Sequence, residues 1–261
     1  MSFHFTIMFK LIKKFIESFS GNKKFTRYKL NPKFTDSLIA NVYFLVKKGK
    51  LEEDRETALS FFNLIEITER LLDRCSELEG IQRKIRLFED KKTQKENLKE
   101  LQSNFINKTE AFHQQIYATL STFVNLLMKI SPKHFKNSMP RWSIQKFLSY
   151  SVQFEPKLSN SVKLLLKSGE IRNKCIDHPQ QQSGSFEWQT FTNINKTYGI
   201  YFIRDNTKNQ IDISSEFKSP IKILTTFRAK EVYIVPHHNE VFTAICDFFY
   251  GLSGSFVEHF K

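Results

Sequence analysis

The sequence predicts a mainly α protein with a small antiparallel β insertion before its last helix, on three observations. Apolar residues recur at steps of three and four through two stretches of about thirty residues each, between positions 53 and 130. After Pro179 that period gives way to short runs rich in β-branched and aromatic residues, and after Pro236 it returns. Only 8 glycines and 7 prolines occur in 261 residues, which favours long helices over a many-stranded architecture.

The chain opens on MSFHFTIMFKLIKKFIESFSGNKKF, where Met8, Leu11, Ile12, Phe15 and Phe19 hold helical spacing with lysines around them. This reads as a basic amphipathic helix. Lysines break the apolar run too early for a secretory signal, and it is too short to span a bilayer. It docks on protein or lies on a membrane surface; the former is the expectation. Residues 21–33, with Lys23, Lys24, Arg27 and Lys29, follow as an exposed basic linker, so 1–33 forms one N-terminal segment.

Residues 34–183 are expected to form the helical bundle. Thr35 and Asp36 can cap a short helix through Phe44. From about Glu53 to Glu79 the set Ala58, Phe61, Phe62, Ile65, Leu72, Cys75 and Leu78 forms a stripe that Gly80 is expected to interrupt or kink, with residues 81–88 resuming it. A charged corner leads into a second long helix, from about Glu96 to Ile130, striped by Leu98, Leu101, Phe105, Phe112, Ile116, Leu120, Phe123 and Leu127. Two such helices joined by a polar corner make an antiparallel pair. His113 beside the stripe reads as a surface or satisfied interior histidine, and His134 in the next connection has no partner at metal-ligand spacing. Pro140 is placed to start a helix through Trp142, Ile144, Phe147 and Leu148. After Pro156, the apolar residues Leu158, Val162, Leu165 and Leu166 lead across Ser168-Gly169, a pivot that would turn Arg172 toward a cleft.

Residues 184–235 are expected to be an antiparallel meander of three to five strands, from FEWQTF, YGIYFIRD, QIDISSEF, IKILTTF and EVYIV. Residues 236–261 supply the closing helix, capped by Asn239, with Val241, Phe242, Ile245, Phe248, Phe249 and Leu252 as core. The pair His237-His238 reads as loop residues. Cys75, Cys175 and Cys246 are odd in number and widely separated, so neither a disulfide framework nor a metal site is indicated, and a reducing cytoplasm is expected. No cofactor loop or HExxH pattern occurs.

The net charge of +13 points to an anionic partner, and its distribution is uneven. Residues 1–50 carry eleven Lys/Arg against two acids, whereas the last sixty-one residues carry seven of each. Charge alone does not choose between nucleic acid and membrane; any RNA is expected to lie across the N-terminal surface, with salt-sensitive affinity.

Chemistry concentrates in IRNKCIDHP, residues 171–179. Pro179 disfavours the α region at His178, so a helix through Arg172 and Asn173 should end near Asp177 and leave His178 on the exit turn. Such a corner offers a guanidinium for a phosphate, an amide to orient it and an imidazole that titrates near neutral pH. A plain reading also stands: a charged helix end with Lys174 and His178 favourably set against the dipole.

The Arg172-Asn173 pair, the six-residue step to His178, Lys174 and the His-Pro step resemble the R-x(4-6)-H motif of the HEPN ribonuclease superfamily. The resemblance covers most of residues 34–261 and leaves the β insertion unplaced. It implies a HEPN-like bundle acting as a homodimer, and metal-independent RNA cleavage that leaves a 2',3'-cyclic phosphate and a 5'-hydroxyl. It also implies His178 as the acid/base group, Arg172 as the phosphate clamp and Asn173 as an orienting hydrogen-bonder. Lys174 is a secondary RNA contact, alongside Lys23, Lys24, Arg27 and Lys29. Asp177 either orients the histidine or is a helix-end carboxylate. No metal or cofactor is called for. A toxin or defence effector with an antitoxin or defence partner is a role the resemblance admits, as is a non-catalytic RNA-binding or interaction module.

Overall fold

A computed structural model describes residues 55–91, 95–130, 143–177, 186–193, 196–205, 210–212, 222–224 and 228–260. The basic segment 1–33, the short helix expected after Asp36, His134 and His178 lie outside the described residues.

The described residues are mainly helical. Helix α1 (Arg55–Lys91) and helix α2 (Lys95–Ile130) are antiparallel: Lys108 pairs with Glu77 midway along both, and Lys129 Nζ reaches Ser60 Oγ near the far end. Their facing stripes, including Leu71, Cys75, Leu78 and Ile85 on α1 and Phe105, Phe112, Ile116, Phe123 and Leu127 on α2, are buried. Leu98 and Leu101 pack only partly against that core. Two buried threonines of α2 are satisfied within the helix. The hydroxyls of Thr109 and Thr119 donate to the carbonyls four residues earlier, at 2.7 and 2.8 Å, so their burial leaves no unmet donor.

Gly80 does not interrupt α1. The helix runs through it, and the glycine is exposed with no atom within 4 Å of where a Cβ would stand. A glycine in an exposed helix interior costs only about 1 kcal/mol against alanine, which the buried stripe on the opposite face outweighs.

Helix α3 (Ile144–Phe154) starts later than Pro140 suggested, at an N-cap supplied by Ser143, whose Oγ accepts from the Lys146 amide at 3.4 Å. A 3-10 turn (Pro156–Leu158) leads to helix α4 (Ser159–Ile171), which continues into a single π-helical turn (Arg172–Asp177). The described helical chain runs to Asp177, and the exit turn expected at His178 lies outside the described residues. Helix α5 (His238–Phe260) closes the bundle, with Phe248 edge-on to Phe123 and Phe147 at ring distances of 6.0 and 5.9 Å. No helix of the described residues is long and apolar enough to cross a membrane.

Five strands lie between the π turn and α5: β1 (Phe186–Asn193), β2 (Lys196–Asp205), β3 (Gln210–Asp212), β4 (Lys222–Leu224) and β5 (Arg228–Ile234). They are antiparallel but do not form one meander. β1, β2 and β5 make a three-stranded sheet in the order β1-β2-β5, and β3 pairs with β4 as a separate ribbon inserted between β2 and β5. β2 keeps pairing with β5 across a register shift at Ile203/Arg204, so the intervening pair is excluded from the main sheet.

The sheet is tied to the bundle by buried polar groups. The Gln82 amide on α1 donates to the Thr197 carbonyl at 2.7 Å and lies 3.3 Å from His237 Nε2. His237 lies in the loop before α5 and His238 opens that helix; both are buried and their rings stack at 4.2 Å. His237 takes the capping position expected of Asn239, its carbonyl accepting from the amides of Glu240 and Val241. The Asn239 amide instead donates to Glu79 at 2.7 Å, which helps hold α5 to α1.

Candidate phosphate-binding corner

The π turn follows from its two sides. Ile171 and Cys175, four residues apart, are buried with Val235 in a small apolar cluster flanked by Ile176 and Tyr233. That cluster pins the inner face of the turn against the chain leaving β5. The wider i→i+5 turn rotates the residues between, and such turns concentrate at functional sites.

Arg172, half-buried on the outer face, lies with its guanidinium carbon 4.0 Å from the ring centroid of Tyr117 on α2, and its Nη1 donates to Asn173 Oδ1 at 3.3 Å. Stacking uses the face of the guanidinium. Phosphate recognition uses its edge, so the two are compatible in one conformer. The contact to Asn173 further limits rotation of the fork.

Lys174 points elsewhere. Its ammonium lies 2.9 Å from Glu170, 3.4 Å from the Tyr233 hydroxyl and 5.2 Å above the Tyr233 ring. Hydrogen bonds to Glu170 and then to Tyr233 hold its pKa above the ordinary lysine value. The pair is close to half exposed and contributes little to stability. Its consequence is local charge: the ammonium is already paired with a carboxylate. The structure thus brings Arg172 and Asn173 together and turns Lys174 toward β5. Asp177 is described in its backbone, while His178, Lys23, Lys24, Arg27 and Lys29 lie outside the described residues.

Cys175 is a buried wall of the corner. Burial pushes its thiol up to about 12 and those of Cys75 and Cys246 upward as well. None of the three is in a disulfide and, as buried thiols, they are poor nucleophiles. Among the described residues no group of three or more His, Cys, Asp or Glu is placed to hold a metal ion.

The sequence reading does not name Tyr117, and it names His113 and Ser168 without bringing them together. His113, one helical turn earlier on α2, is 1% exposed, with Nδ1 2.7 Å from Ser168 Oγ on α4. Its other nitrogen has no hydrogen-bond partner among the described residues, so His113 is interior but only half satisfied. Burial lowers its pKa to about 4, leaving it neutral at physiological pH. Their trace in sequence was slight: His113 and Tyr117 sit four apart beside the apolar stripe, and Ser168-Gly169 offers small residues opposite.

No family model, curated protein or solved structure matches the chain.

Proposed function

We propose that the chain is a HEPN-type, metal-independent endoribonuclease whose active corner is Arg172, Asn173 and His178. The observation that carries this reading is the Arg172 guanidinium, stacked on Tyr117 and bonded to Asn173 within the turn that delivers the chain to His178. An arginine fixed in this way at a helix exit is suited to hold a scissile phosphate.

RNA supplies the nucleophile in this chemistry. The 2'-hydroxyl oxygen attacks phosphorus as its proton passes to a base, the P–O5' bond breaks, and the departing 5'-oxygen takes a proton from an acid. The products are a 2',3'-cyclic phosphate and a 5'-hydroxyl. An imidazole serves either proton transfer. Arg172 stabilises charge gathering on the phosphoryl oxygens, Asn173 orients the group, and a two-fold homodimer would supply a second histidine for the second proton.

The test is cleavage of an RNA pool with EDTA present. Native protein should cut and leave cyclic phosphate ends. His178→Ala should lose about 10² to 10⁴ in rate. Arg172→Ala should lose roughly 3 to 4 kcal/mol of transition-state stabilisation if its role matches an oxyanion-hole donor. RNA binding without metal-independent cleavage would replace the enzyme by a binding module, and cleavage untouched by His178→Ala would move the active site elsewhere.

A further inference from the structure

The chain leaves β5 and enters α5 through a joint that touches both the sheet and α1. The Val235 amide donates to the Gly199 carbonyl of β2 at 2.9 Å, and His237 follows as the cap of α5. The His237 ring, 5% exposed, bridges the two sides. Its Nδ1 accepts from the Asn239 backbone amide at 3.4 Å, in the first turn of α5, and its Nε2 lies 3.4 Å from Gln82 Oε1 on α1. Gln82 Nε2 in turn donates to the Thr197 carbonyl of β2 at 2.7 Å. We propose that His237 is a pH-sensitive latch: the joint that holds the β1-β2-β5 sheet and the start of α5 to α1 closes on the neutral imidazole and weakens when the ring takes a second proton. What the corner at Arg172 binds does not enter this inference.

Hydrogen-bond roles carry it. A backbone N–H only donates, so Nδ1 must present a lone pair to Asn239, and the one proton of the neutral ring then sits on Nε2, where Gln82 Oε1 accepts it. The Thr197 carbonyl only accepts, which fixes the other end of the Gln82 amide. In the opposite tautomer Nε2 would accept from Gln82 Nε2 at 3.3 Å, but an Nδ1 proton would then face the Asn239 N–H. The doubly protonated ring carries that same clash. It also sets positive charge at the N-terminal end of the α5 dipole, on a side chain with little access to water.

The charged and titratable groups around the joint, among the described residues, come from three helices. On α1, Glu79 is engaged by Arg83 at 3.2 Å and by the Asn239 side-chain amide, Arg86 stands one turn beyond Gln82 with its Nε buried, and Cys75 Sγ lies 3.9 Å from the His238 carbonyl. On α2, His113 is edge-on to Phe112, which is edge-on to His238. On α5, His238 stacks on His237 at 4.2 Å, and Glu240 is exposed, its charge screened by solvent. Because Glu79 already meets Arg83, it offers a charged His237 little compensation.

The sign follows from which form the joint holds. Closure keeps the neutral ring, so it expels a proton once the pH falls below the ordinary imidazole range, about 6.5. Closure is undiminished above that range and weakens by about tenfold per pH unit below it. Tyr233 and Val235, just before the latch, wall the π turn, so loosening reaches the element that carries Arg172.

The experiment is hydrogen exchange of the full-length protein from pH 7.5 to 5, corrected for the intrinsic rate and read in peptides covering 196–205 and 233–241, with ¹⁵N-histidine spectra over the same range. Protection in both peptides should fall about tenfold per pH unit below about pH 6. The fall should persist in His113→Leu, since that ring is not part of the joint. In His237→Asn it should vanish, because an asparagine oxygen caps a helix N-terminus and takes no proton. Should that variant fail to fold, the native spectra decide: His237 Nδ1 should be unprotonated at pH 7.5 and gain its proton as joint protection is lost. A proton on Nδ1 at pH 7.5, flat protection in the native protein, or an equal fall in His237→Asn would each overturn the latch.

Discussion

Two helical glycines show how the same methyl group changes sign with its surroundings. At Gly169 an added Cβ meets only the tip of Gln145 at 4.0 Å, so Gly169→Ala should stabilise the protein by about 0.5–1 kcal/mol through lost backbone freedom in the unfolded chain. At Gly251 the Cβ would stand 2.7 Å from Cδ2 of Leu158 and 3.5 Å from its Cγ. Leu158 is itself buried under α5, and such overpacking costs roughly 1–3 kcal/mol, more than the helix gains. Urea midpoints should move up for the first variant and down for the second. His113 supplies a pH-dependent counterpart. Its folded pKa of about 4, lowered by burial alone, lies below the ordinary 6.5, so the unfolded chain binds the extra proton. Stability is undiminished above about pH 6.5, falls as the pH drops from there to about 4, and then levels. The gap at about 1.4 kcal/mol per pH unit gives a loss on the order of 3 kcal/mol. Chemical denaturation at pH 7.5 and pH 4.5 measures it, and His113→Leu should flatten the difference between the two. An equal fall in that variant would assign the acid sensitivity to other groups.

The elements divide by how local their determinants are. The two long helices were legible because a stripe repeated over thirty residues overrides single exceptions; Gly80 looked like a break only because sequence cannot show that it faces solvent. The β3–β4 ribbon was misjudged because strand runs carry no label for which neighbour they pair with. The burial of the His237-His238 pair was not legible, because partners such as Gln82 lie some 155 residues away. The corner followed the same rule. Arg172 and Asn173 are adjacent in sequence and were readable, whereas Tyr117 and His113, the partner of Ser168, come from a different helix. Tyr117 tests that non-local support. Tyr117→Phe keeps the ring under the guanidinium and should leave phosphate affinity within about twofold. Tyr117→Leu removes a cation–π contact worth about 0.5–1 kcal/mol at a half-exposed site, and should weaken phosphate binding by about two- to fivefold with little change in thermal midpoint. Equal effects of the two variants would argue against the stack as the positioning device.

At the scale of the whole molecule, charge and chemistry are separated along the chain. The corner resides in the bundle, whereas the largest local excess of positive charge, eleven Lys/Arg against two acids, is in residues 1–50. This separation predicts that affinity and rate respond to different substitutions. A lysine that only neutralises phosphate releases counterions on binding, and each contact to a single strand contributes about 0.7 to the slope of log K against log salt. Replacing Lys23, Lys24 and Lys29 together by glutamine should therefore reduce the magnitude of that slope by about 2 and weaken binding most at low salt. The single-turnover cleavage rate at saturating protein should stay within about twofold, because none of the three is assigned to the bond-breaking step. Arg172→Ala should show the reverse profile, with a slope change of about 1 or less and a collapse in rate. Fluorescence anisotropy across a salt series, paired with single-turnover cleavage, separates the two effects. A triple variant that loses rate at saturation would place the basic segment within the active site and join what the sequence keeps apart.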